Sequence, residues 1–287
     1  MKKNQTSTTA LGIALNRALE SERPADERII FDPYARQMAP DWMYWMMKFF
    51  TAIGYGEMRG PGVQAFLTAR ERYVDDALQT ALSEGAQQVV ILGAGYDSRA
   101  YRFPEFTRGV TVFEVDHPAT QADKLAKLGR IFGKIPAHVI FVAVDFEIQS
   151  LEERLVVCGY RPDLKTFFIW QGVVYYLDPS SVDSTLSFIR RCSGPGSSVI
   201  FDYMYRSTFD GVTGHGELSS LRRYRRFTGE GLKFAIPDGQ VAAFLEARGF
   251  TGVKDVGAQE LKELYFQGKN SSRRVAGGYG IVSATVL

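Results

Sequence analysis

The chain has 287 residues, 45% of them hydrophobic and 23% charged, a composition that is typical of a folded globular protein. Its 34 basic and 32 acidic residues leave a formal net charge of +2, which argues against nucleic acid or an anionic membrane as partner. The N-terminus lacks the apolar core of a signal peptide, no apolar run is long enough to span a bilayer, and the two cysteines lack metal-ligand spacing, so we expect a cytoplasmic protein with reduced thiols and no membrane span.

The first part of the chain, residues 1–87, is predicted to form a helical cap. Its clearest helix spans Val63 to Leu82, where apolar residues recur at helical spacing. Another stretch, Trp42 to Phe50, is dense in Trp, Phe, Tyr and Met side chains. This stretch fits either a helix packed on the domain or the wall of a hydrophobic substrate pocket.

From Gln88 onward, strand and helix patterns alternate. Short β-branched and aromatic runs predict strands at Gln88–Leu92, Val110–Val115, His138–Val144, Thr166–Trp170, Ser197–Tyr203, Phe250–Val256 and Tyr279–Val286. Helical patterns cover Pro118–Phe132, Gln149–Cys158, Ser180–Arg191 and Asp238–Arg248. This alternation predicts one α/β domain over residues 1–287, with a mostly parallel, Rossmann-like seven-stranded sheet covered on both faces. Residues 206–237 interrupt the pattern, and we interpret them as a lid inserted after the fifth strand.

A glycine loop directly after the first predicted strand is the strongest local signal for a ligand site. In Leu92-Gly-Ala-Gly-Tyr-Asp-Ser-Arg99, two glycines allow close backbone approach, and the amides at the following helix start face the ligand. A nicotinamide-binding loop favours a third glycine at the position of Ser98, so the dinucleotide interpretation is weakened. We assign the loop residues Gly93, Ala94, Gly95 and Asp97 to cofactor binding.

Carboxylates at the ends of the next two predicted strands extend this site. Asp116 lies 21 residues after Gly95, where a carboxylate can accept both hydroxyls of an adenosine ribose. Glu114, on the same face of the strand, is the fallback for that role, and a helix-capping role for Asp116 is the structural alternative. Asp145, followed by Phe146, suits an adenine, since the carboxylate can accept from its amino group while the ring packs on the base. A loop cap is the alternative for Asp145.

A positive charge is predicted on the inward face of the helix over residues 63–82. Arg70 falls between Leu67 and Val74 on that apolar stripe. A buried guanidinium needs an anionic partner, and the α-carboxylate of a bound methionyl group would serve. An internal salt bridge remains the alternative for Arg70.

Several motifs, in this order, closely resemble the leucine carboxyl methyltransferase family. They are the glycine loop Leu92–Arg99, Phe113-Glu-Val-Asp-His-Pro118, Val144-Asp-Phe146 and Trp170-Gln-Gly-Val-Val-Tyr-Tyr-Leu177, with Thr8-Thr-Ala-Leu-Gly12, Asp32-Pro-Tyr-Ala35 and Phe234-Ala-Ile-Pro237. The nearer likeness is to its bacterial branch, which includes polyketide carboxyl O-methyltransferases of secondary metabolism. The resemblance implies a class I methyltransferase fold and S-adenosylmethionine as cofactor. It also implies Arg70 at the methionine carboxylate, Asp116 at the ribose and Asp145-Phe146 at the adenine.

One position departs from the family pattern. The family usually has Glu where this chain has Gln171, near the ammonium group of the cofactor's methionine. Gln171 keeps a carbonyl acceptor but loses the charge, which would cost about 1 kcal/mol of a charge-assisted hydrogen bond. This difference leaves a non-catalytic S-adenosylmethionine-binding protein as one alternative function, and a nicotinamide-dependent oxidoreductase is the other.

The methyl acceptor is expected to be a small molecule with a carboxylate or a phenolic hydroxyl. A carboxylate is ionised near neutral pH and needs no catalytic base, whereas a phenol does. Three residues are candidates for work on the acceptor, namely His215 in the lid, Tyr176 and Tyr205. The lid also contains Leu221-Arg-Arg-Tyr-Arg-Arg226, which is either a solvated helix face or a site for an anionic substrate group. No metal site is predicted.

Overall fold

The fold is built around a single seven-stranded sheet. The computed structural model describes residues 7–103, 105–106, 109–145, 149–212 and 231–287. The strands in chain order are β1 (Gln88–Leu92), β2 (Thr111–Asp116), β3 (Val139–Ala143), β4 (Thr166–Trp170), β5 (Ser198–Met204), β6 (Phe250–Val256) and β7 (Tyr279–Val286). Their spatial order is β3-β2-β1-β4-β5-β7-β6. The predicted Rossmann-like α/β fold is therefore confirmed.

The sheet is parallel except at β7. β7 runs antiparallel to both of its neighbours. Its Val282 pairs with Phe201 of β5, and its Ile281 pairs with Val256 of β6. From β1, the chain continues to β2 on one side, while β4 pairs with β1 on the other side. The strand order therefore reverses at β1, and ligands bind at the carboxyl ends of strands at such a switch point.

Helices cover both faces of the sheet. Within the described residues they are α1 (Thr8–Ser21), α2 (Asp41–Ala52), α3 (Tyr55–Arg59), α4 (Val63–Ser83), α5 (Arg99–Arg102), α6 (Pro118–Phe132), α7 (Leu151–Val157), α8 (Pro179–Arg191), α9 (Arg206–Asp210), α10 (Val241–Glu246) and α11 (Ala258–Tyr265). Helices α4 and α11 share one apolar cluster with alternate strand residues, and α7, α8 and α10 share the opposite cluster. This alternation explains why the central strands β1 and β4 are buried along their whole length.

The N-terminal segment is helical, as the sequence predicts. Helix α1 begins after Ser7, whose hydroxyl accepts a hydrogen bond from the Ala10 N–H. A third apolar cluster joins α1 to Tyr44 of α2, to Tyr96 in the loop after β1 and to Leu128 of α6. This cluster holds the cap over the carboxyl end of β1, where the glycine loop lies.

The structure shortens some predicted elements. The helix predicted over Asp238–Arg248 is formed only as α10, after a turn at Gly239 with φ of +71°. Of the predicted lid over residues 206–237, the structure describes only residues 206–212, which include α9, and residues 231–237. His215 and Leu221–Arg226 lie outside the described residues. Within the described part of the chain, no helix combines the length and apolarity needed to cross a bilayer.

Candidate functional site

The glycine loop after β1 is a tight turn that only glycines permit. Gly93 and Gly95 have φ values of +69° and +47°. A Cβ on Gly93 would lie 2.4 Å from a methyl group of Val173, and one on Gly95 would lie 3.0 Å from the Cβ of Ala10. The Ala94 N–H donates to the Val115 carbonyl at 2.9 Å, which ties the loop to the end of β2. The loop is therefore a backbone-lined cradle beneath α1.

Asp116 lies against this loop, as the spacing of 21 residues predicts. Its Oδ2 accepts a hydrogen bond from the Gly95 N–H at 2.5 Å, and its Oδ1 accepts from the His117 N–H at 2.6 Å. Burial raises the pKa of the Asp116 carboxyl, and it outweighs the two backbone hydrogen bonds, which act in the opposite direction. The N-cap of α6 is His117, so Asp116 is not the helix cap that the sequence left open.

Glu114, the fallback for the ribose, is buried and paired with other side chains of the protein. It is 1% exposed, its Oε2 lies 2.6 Å from the Lys124 Nζ, and its Oε1 accepts from the Tyr101 hydroxyl at 2.9 Å. The side chain shares a face with Asp116, as predicted, but Lys124 of α6 and Tyr101 of α5 cover it. Both Glu114 oxygens thus have partners within the protein, so the ribose prediction rests on Asp116.

Arg70 has an internal partner. Its Nη1 donates to the Asp202 Oδ2 at 2.7 Å, with both side chains almost completely buried. The other Asp202 oxygen accepts from the Gly172 N–H at 2.6 Å, which joins the ends of β4 and β5. The internal salt bridge, the alternative that the sequence left open, is thus present. Asp202 takes only part of the donor capacity of Arg70, because the buried Arg70 Nε–H has no acceptor among the residues described.

Gln171 connects two charged side chains. Its Oε1 accepts from the Arg99 Nη2 at 3.0 Å, and its Nε2 donates to the Glu71 Oε1 at 2.5 Å. A glutamate at this position would face Glu71 as a like charge, whereas the amide satisfies both neighbours at once. The departure from the family pattern therefore has a local structural reason.

A buried ionic network surrounds Gln171, and sequence reasoning missed most of it. Arg99 contacts Glu71 at 2.9 Å and Asp75 at 2.7 Å, and it also pairs with Asp97. Burial alone would raise the pKa of Glu71, but the Arg99 guanidinium, helped by Arg17, holds it below the ordinary value. Asp97, predicted to contact the cofactor, accepts hydrogen bonds from both the backbone and the side chain of Arg99. Its carboxylate is therefore shared with this network.

Arg17 brings the cap into the same network. Its Nε donates to the Asp32 Oδ2 at 2.9 Å, and its Nη2 donates to the Tyr96 carbonyl at 2.5 Å in the glycine loop. Arg17 falls between the buried residues Ala14 and Ala18 on α1. An inward-facing arginine on an apolar stripe was the signal used for Arg70, and it would have found Arg17 as well.

The remaining predicted site residues are scattered. Asp145 follows β3 at the same edge of the sheet and is half-buried, and its N–H donates to the Gln149 Oε1 at 3.0 Å. Phe146 lies outside the described residues. Tyr205 packs edge-to-face on Tyr203, with ring centroids 5.4 Å apart, and does not line the cavity described next. His117 and His138 have structural roles, as a helix cap and as a partner of the Ala100 carbonyl.

An apolar cavity of about 490 Å³ lies between the cap and the sheet. Its lining comes from α1, α2, α3, α4, the segment after β4, the end of β5 and the start of β7. It includes Ile13, Asn16, Met43, Met46, Met47, Phe50, Tyr55, Arg59, Phe66, Leu67, Tyr175, Tyr176, Met204 and Tyr279. Trp42–Phe50 was predicted to form either a packed helix or a pocket wall. The structure gives both, because Tyr44 is buried while Met43, Met46, Met47 and Phe50 line the cavity.

The cavity lining is poor in groups that could act as a general base. Among its described residues there is no His, Asp, Glu or Lys, and Arg59 supplies the one positive charge. Tyr175 and Tyr176 are adjacent in it, with ring centroids 4.7 Å apart. No group of three His, Cys, Asp or Glu side chains within the described ranges could hold a metal ion.

Solved structures share this fold. A crystal structure from Thermobifida fusca, described as a methyltransferase, matches 98% of this chain and 95% of its own with a TM-score of 0.58 and 14% sequence identity. At that identity the match supports the fold alone.

Curated relatives match over part of their length. YktD of Bacillus subtilis, whose name assigns it to the S-adenosyl-L-methionine-dependent methyltransferases, is 32% identical over 71% of this chain and 67% of its own. A Streptomyces coelicolor protein with the same assignment is 35% identical over 66% of each chain. The chain thus spans about two thirds of the length of these two relatives.

A family comparison agrees with the motifs. The model of the leucine carboxyl methyltransferase family matches residues 10–190, which include α1, the glycine loop, Asp116 and Gln171. The chain belongs to the leucine carboxyl methyltransferase family.

Proposed function

We propose that this protein transfers the methyl group of S-adenosylmethionine to a carboxylate of a small, largely apolar acceptor, such as a polyketide-type acid. The observation that carries the acceptor class is the apolar cavity, whose described lining offers no His, Asp, Glu or Lys as a base. A carboxylate arrives already ionised near neutral pH, whereas a phenol with a pKa near 10 would need such a base. The relatives support S-adenosylmethionine as the methyl donor.

The residues at the carboxyl end of the sheet fit this cofactor. The backbone cradle at Gly93 and Gly95 leaves no room for side chains, and Asp116 lies at its edge with an acceptor carboxylate. We assign Asp116 to the ribose hydroxyls and Asp145 with Phe146 to the adenine. The orphaned Nε–H of Arg70 is assigned to the methionine carboxylate, while Asp202 accepts from the Nη1 of that guanidinium.

The charge of the buried network also suits the cofactor. Five carboxylates (Asp32, Glu71, Asp75, Asp97 and Asp202) face four guanidinium groups (Arg17, Arg70, Arg99 and Arg102). The excess of one negative charge would balance a ligand that carries an ammonium, a sulfonium and one carboxylate. Gln171, with its carbonyl already bonded to Arg99, keeps this excess at one.

The chemistry asks little of the protein beyond placement. When bound, S-adenosylmethionine would supply a methyl group on a sulfonium: the bond from the acceptor carboxylate oxygen to the methyl carbon would form in line as the sulfur–carbon bond breaks, with S-adenosylhomocysteine leaving as a neutral thioether. The cavity walls would hold the acceptor against this group and exclude water, and such positioning contributes several kcal/mol to a bimolecular reaction. Tyr176 lines the cavity and is assigned to orienting the acceptor, while no proton needs to be removed from a carboxylate.

Methyl-labelled S-adenosylmethionine tests the proposal with a panel of apolar carboxylic acids, the matched phenols and the matched amines. We expect labelled product from the acids, and mild alkali should release the label as methanol because a methyl ester hydrolyses. Alkali-stable label from phenols or amines alone would contradict a carboxylate acceptor. Binding of S-adenosylhomocysteine without transfer to any acceptor would favour the non-catalytic alternative.

A further inference from the structure

The cap presents a continuous apolar face to solvent along α2 and into α3. Its large apolar side chains, which we call the outer face, are exposed by between 45% and 70%: Trp42, Trp45, Met46, Phe49, Ile53 and Met58. Soluble proteins seldom expose so many large apolar side chains together unless something binds there.

Helical geometry makes the outer face continuous with the cavity wall. At 100° per residue, Trp42, Phe49 and Ile53 project in one direction, Met46 and Phe50 lie beside them, and Met43 and Met47 follow further round the helix. Met46 and Phe50 are exposed by 45% and 38%, yet they also line the cavity. An apolar molecule in contact with the outer face can therefore reach the cavity without crossing a polar surface.

The charges around this surface are unequally paired. Lys48 lies beside Trp45, with its Nζ 5.5 Å from the centroid of that ring, and pairs with Glu22 at 2.7 Å. Arg59, at the end of α3 and in the cavity lining, stacks on the Tyr55 ring, and no carboxylate pairs with it in the described part of the chain. An unpaired arginine that shares the cavity lining with the exposed Met46 and Phe50 suits the phosphate of a lipid headgroup above an apolar acyl layer.

We infer that the outer face docks on the surface of a lipid bilayer and that the acceptor enters the cavity from it. The source of the acceptor rests on the proposed function, whereas the docking does not. A rigid protein partner on the same face would cover the residues that the cavity shares with it, but a fluid leaflet leaves the route open. The weak net charge of +2 means that insertion of apolar side chains, rather than attraction to anionic lipid, carries the binding.

Vesicle flotation of the full chain tests the docking. We expect the protein to float with phosphatidylcholine vesicles and Trp45→Ser/Phe49→Ser to lose roughly tenfold or more of the partition coefficient. The matched control is Val156→Ser/Val157→Ser, which removes two exposed apolar side chains from α7 and should float like the parent. Neither pair lines the cavity, so binding of S-adenosylhomocysteine and turnover of a water-soluble acid should be the same in all three proteins.

Tryptophan fluorescence gives a second readout on the same samples. The chain has three tryptophans; Trp170 is buried in β4, so a blue shift on adding vesicles reports Trp42 and Trp45. No flotation and no blue shift of the parent would overturn the inference, as would a Trp45→Ser/Phe49→Ser variant that floats like the parent. A dimer that dissociates in this variant, with no flotation, would assign the face to a second copy instead. Flotation without methyl transfer would refute the proposed function and leave the docking intact.

Discussion

Removing the charge of Arg70 tests the link between the buried network and the cofactor. Arg70→Met keeps similar volume but leaves the Asp202 carboxylate, which is 0% exposed, with only the Gly172 N–H as a bonded partner. Removing one partner of a buried pair costs about 3–5 kcal/mol. Each kcal/mol shifts Tm by about 2–4 °C in a chain of this size class, so we expect the apo protein to melt on the order of 10 °C lower.

Thermal scans of five proteins measure this loss: the parent, Arg70→Met, Asp202→Asn, the double variant of both, and a control. Asp202→Asn keeps an oxygen for the Gly172 N–H, so the double variant Arg70→Met/Asp202→Asn should recover much of the stability lost in Arg70→Met. Arg161→Met is the matched control, because Arg161 is an exposed arginine paired with Asp163 and should change stability by no more than about 0.5 kcal/mol. If Arg70→Met melts within 2 °C of the parent (roughly 1 kcal/mol), the buried pair does not stabilise the fold as argued.

The same scans with S-adenosylhomocysteine separate the two roles of Arg70. A ligand that binds only the folded state raises Tm by an amount that grows with the logarithm of its affinity at a fixed ligand concentration. We expect Arg70→Met to lose most of this rise and Asp202→Asn to keep it, because the asparagine variant retains the guanidinium. An undiminished rise in Arg70→Met would limit Arg70 to its structural pair with Asp202.

Three further predictions concern the network and the absence of a metal requirement. Gln171→Glu places two carboxylates side by side at Glu71, so we expect Tm to fall at pH 7 by an amount equivalent to about 1–3 kcal/mol. The fall should be smaller at pH 5, where one of the two carboxylates takes up a proton, and an equal loss at both pH values would contradict this. Burial would raise the pKa of Asp32, but Arg17 holds it below its ordinary value, so this pair stabilises the fold above the unfolded-state pKa of about 3.9. This contribution is lost as the pH falls below that value, so the unfolding free energies of the parent and Asp32→Asn, measured by urea titration, should converge at lower pH. Methyl transfer should be unchanged by EDTA, and loss of activity that magnesium restores would refute a metal-free mechanism.

The sheet could be predicted closely because its signals are local. β1 and β4 are short apolar runs with clear ends in the sequence, and both were predicted at their observed bounds. The contact of Asp116 with the glycine loop could be predicted because a glycine loop and a strand-end carboxylate at this spacing form a local pattern, and its role at the ribose stays a prediction. The sequence does not show that β7 is the antiparallel strand of this mostly parallel sheet, because antiparallel and parallel strands have similar apolar runs.

The ionic network could not be predicted in full because its contacts are distant in sequence. Glu71 meets Arg99, 28 residues away, and Gln171, 100 residues away. Helical spacing shows that Arg70 faces inward, but it does not show whether the anion comes from β5 or from a ligand. Glu114 shows the opposite difficulty, because the strand pattern placed it on the correct face and only the folded structure brings Lys124 over it.

Calorimetric titration with S-adenosylhomocysteine tests the central claim, that the cofactor binds at the glycine loop and Asp116. The matched pair is Asp116→Asn, which keeps one oxygen for the Gly95 N–H but loses the charge, and Asp163→Asn on an exposed loop. We predict a single site in the parent, affinity at least roughly tenfold weaker in Asp116→Asn because charge-assisted bonds to both ribose hydroxyls are lost, and no change in Asp163→Asn. Binding by Asp116→Asn that equals the parent's, or no binding by the parent, would contradict the account.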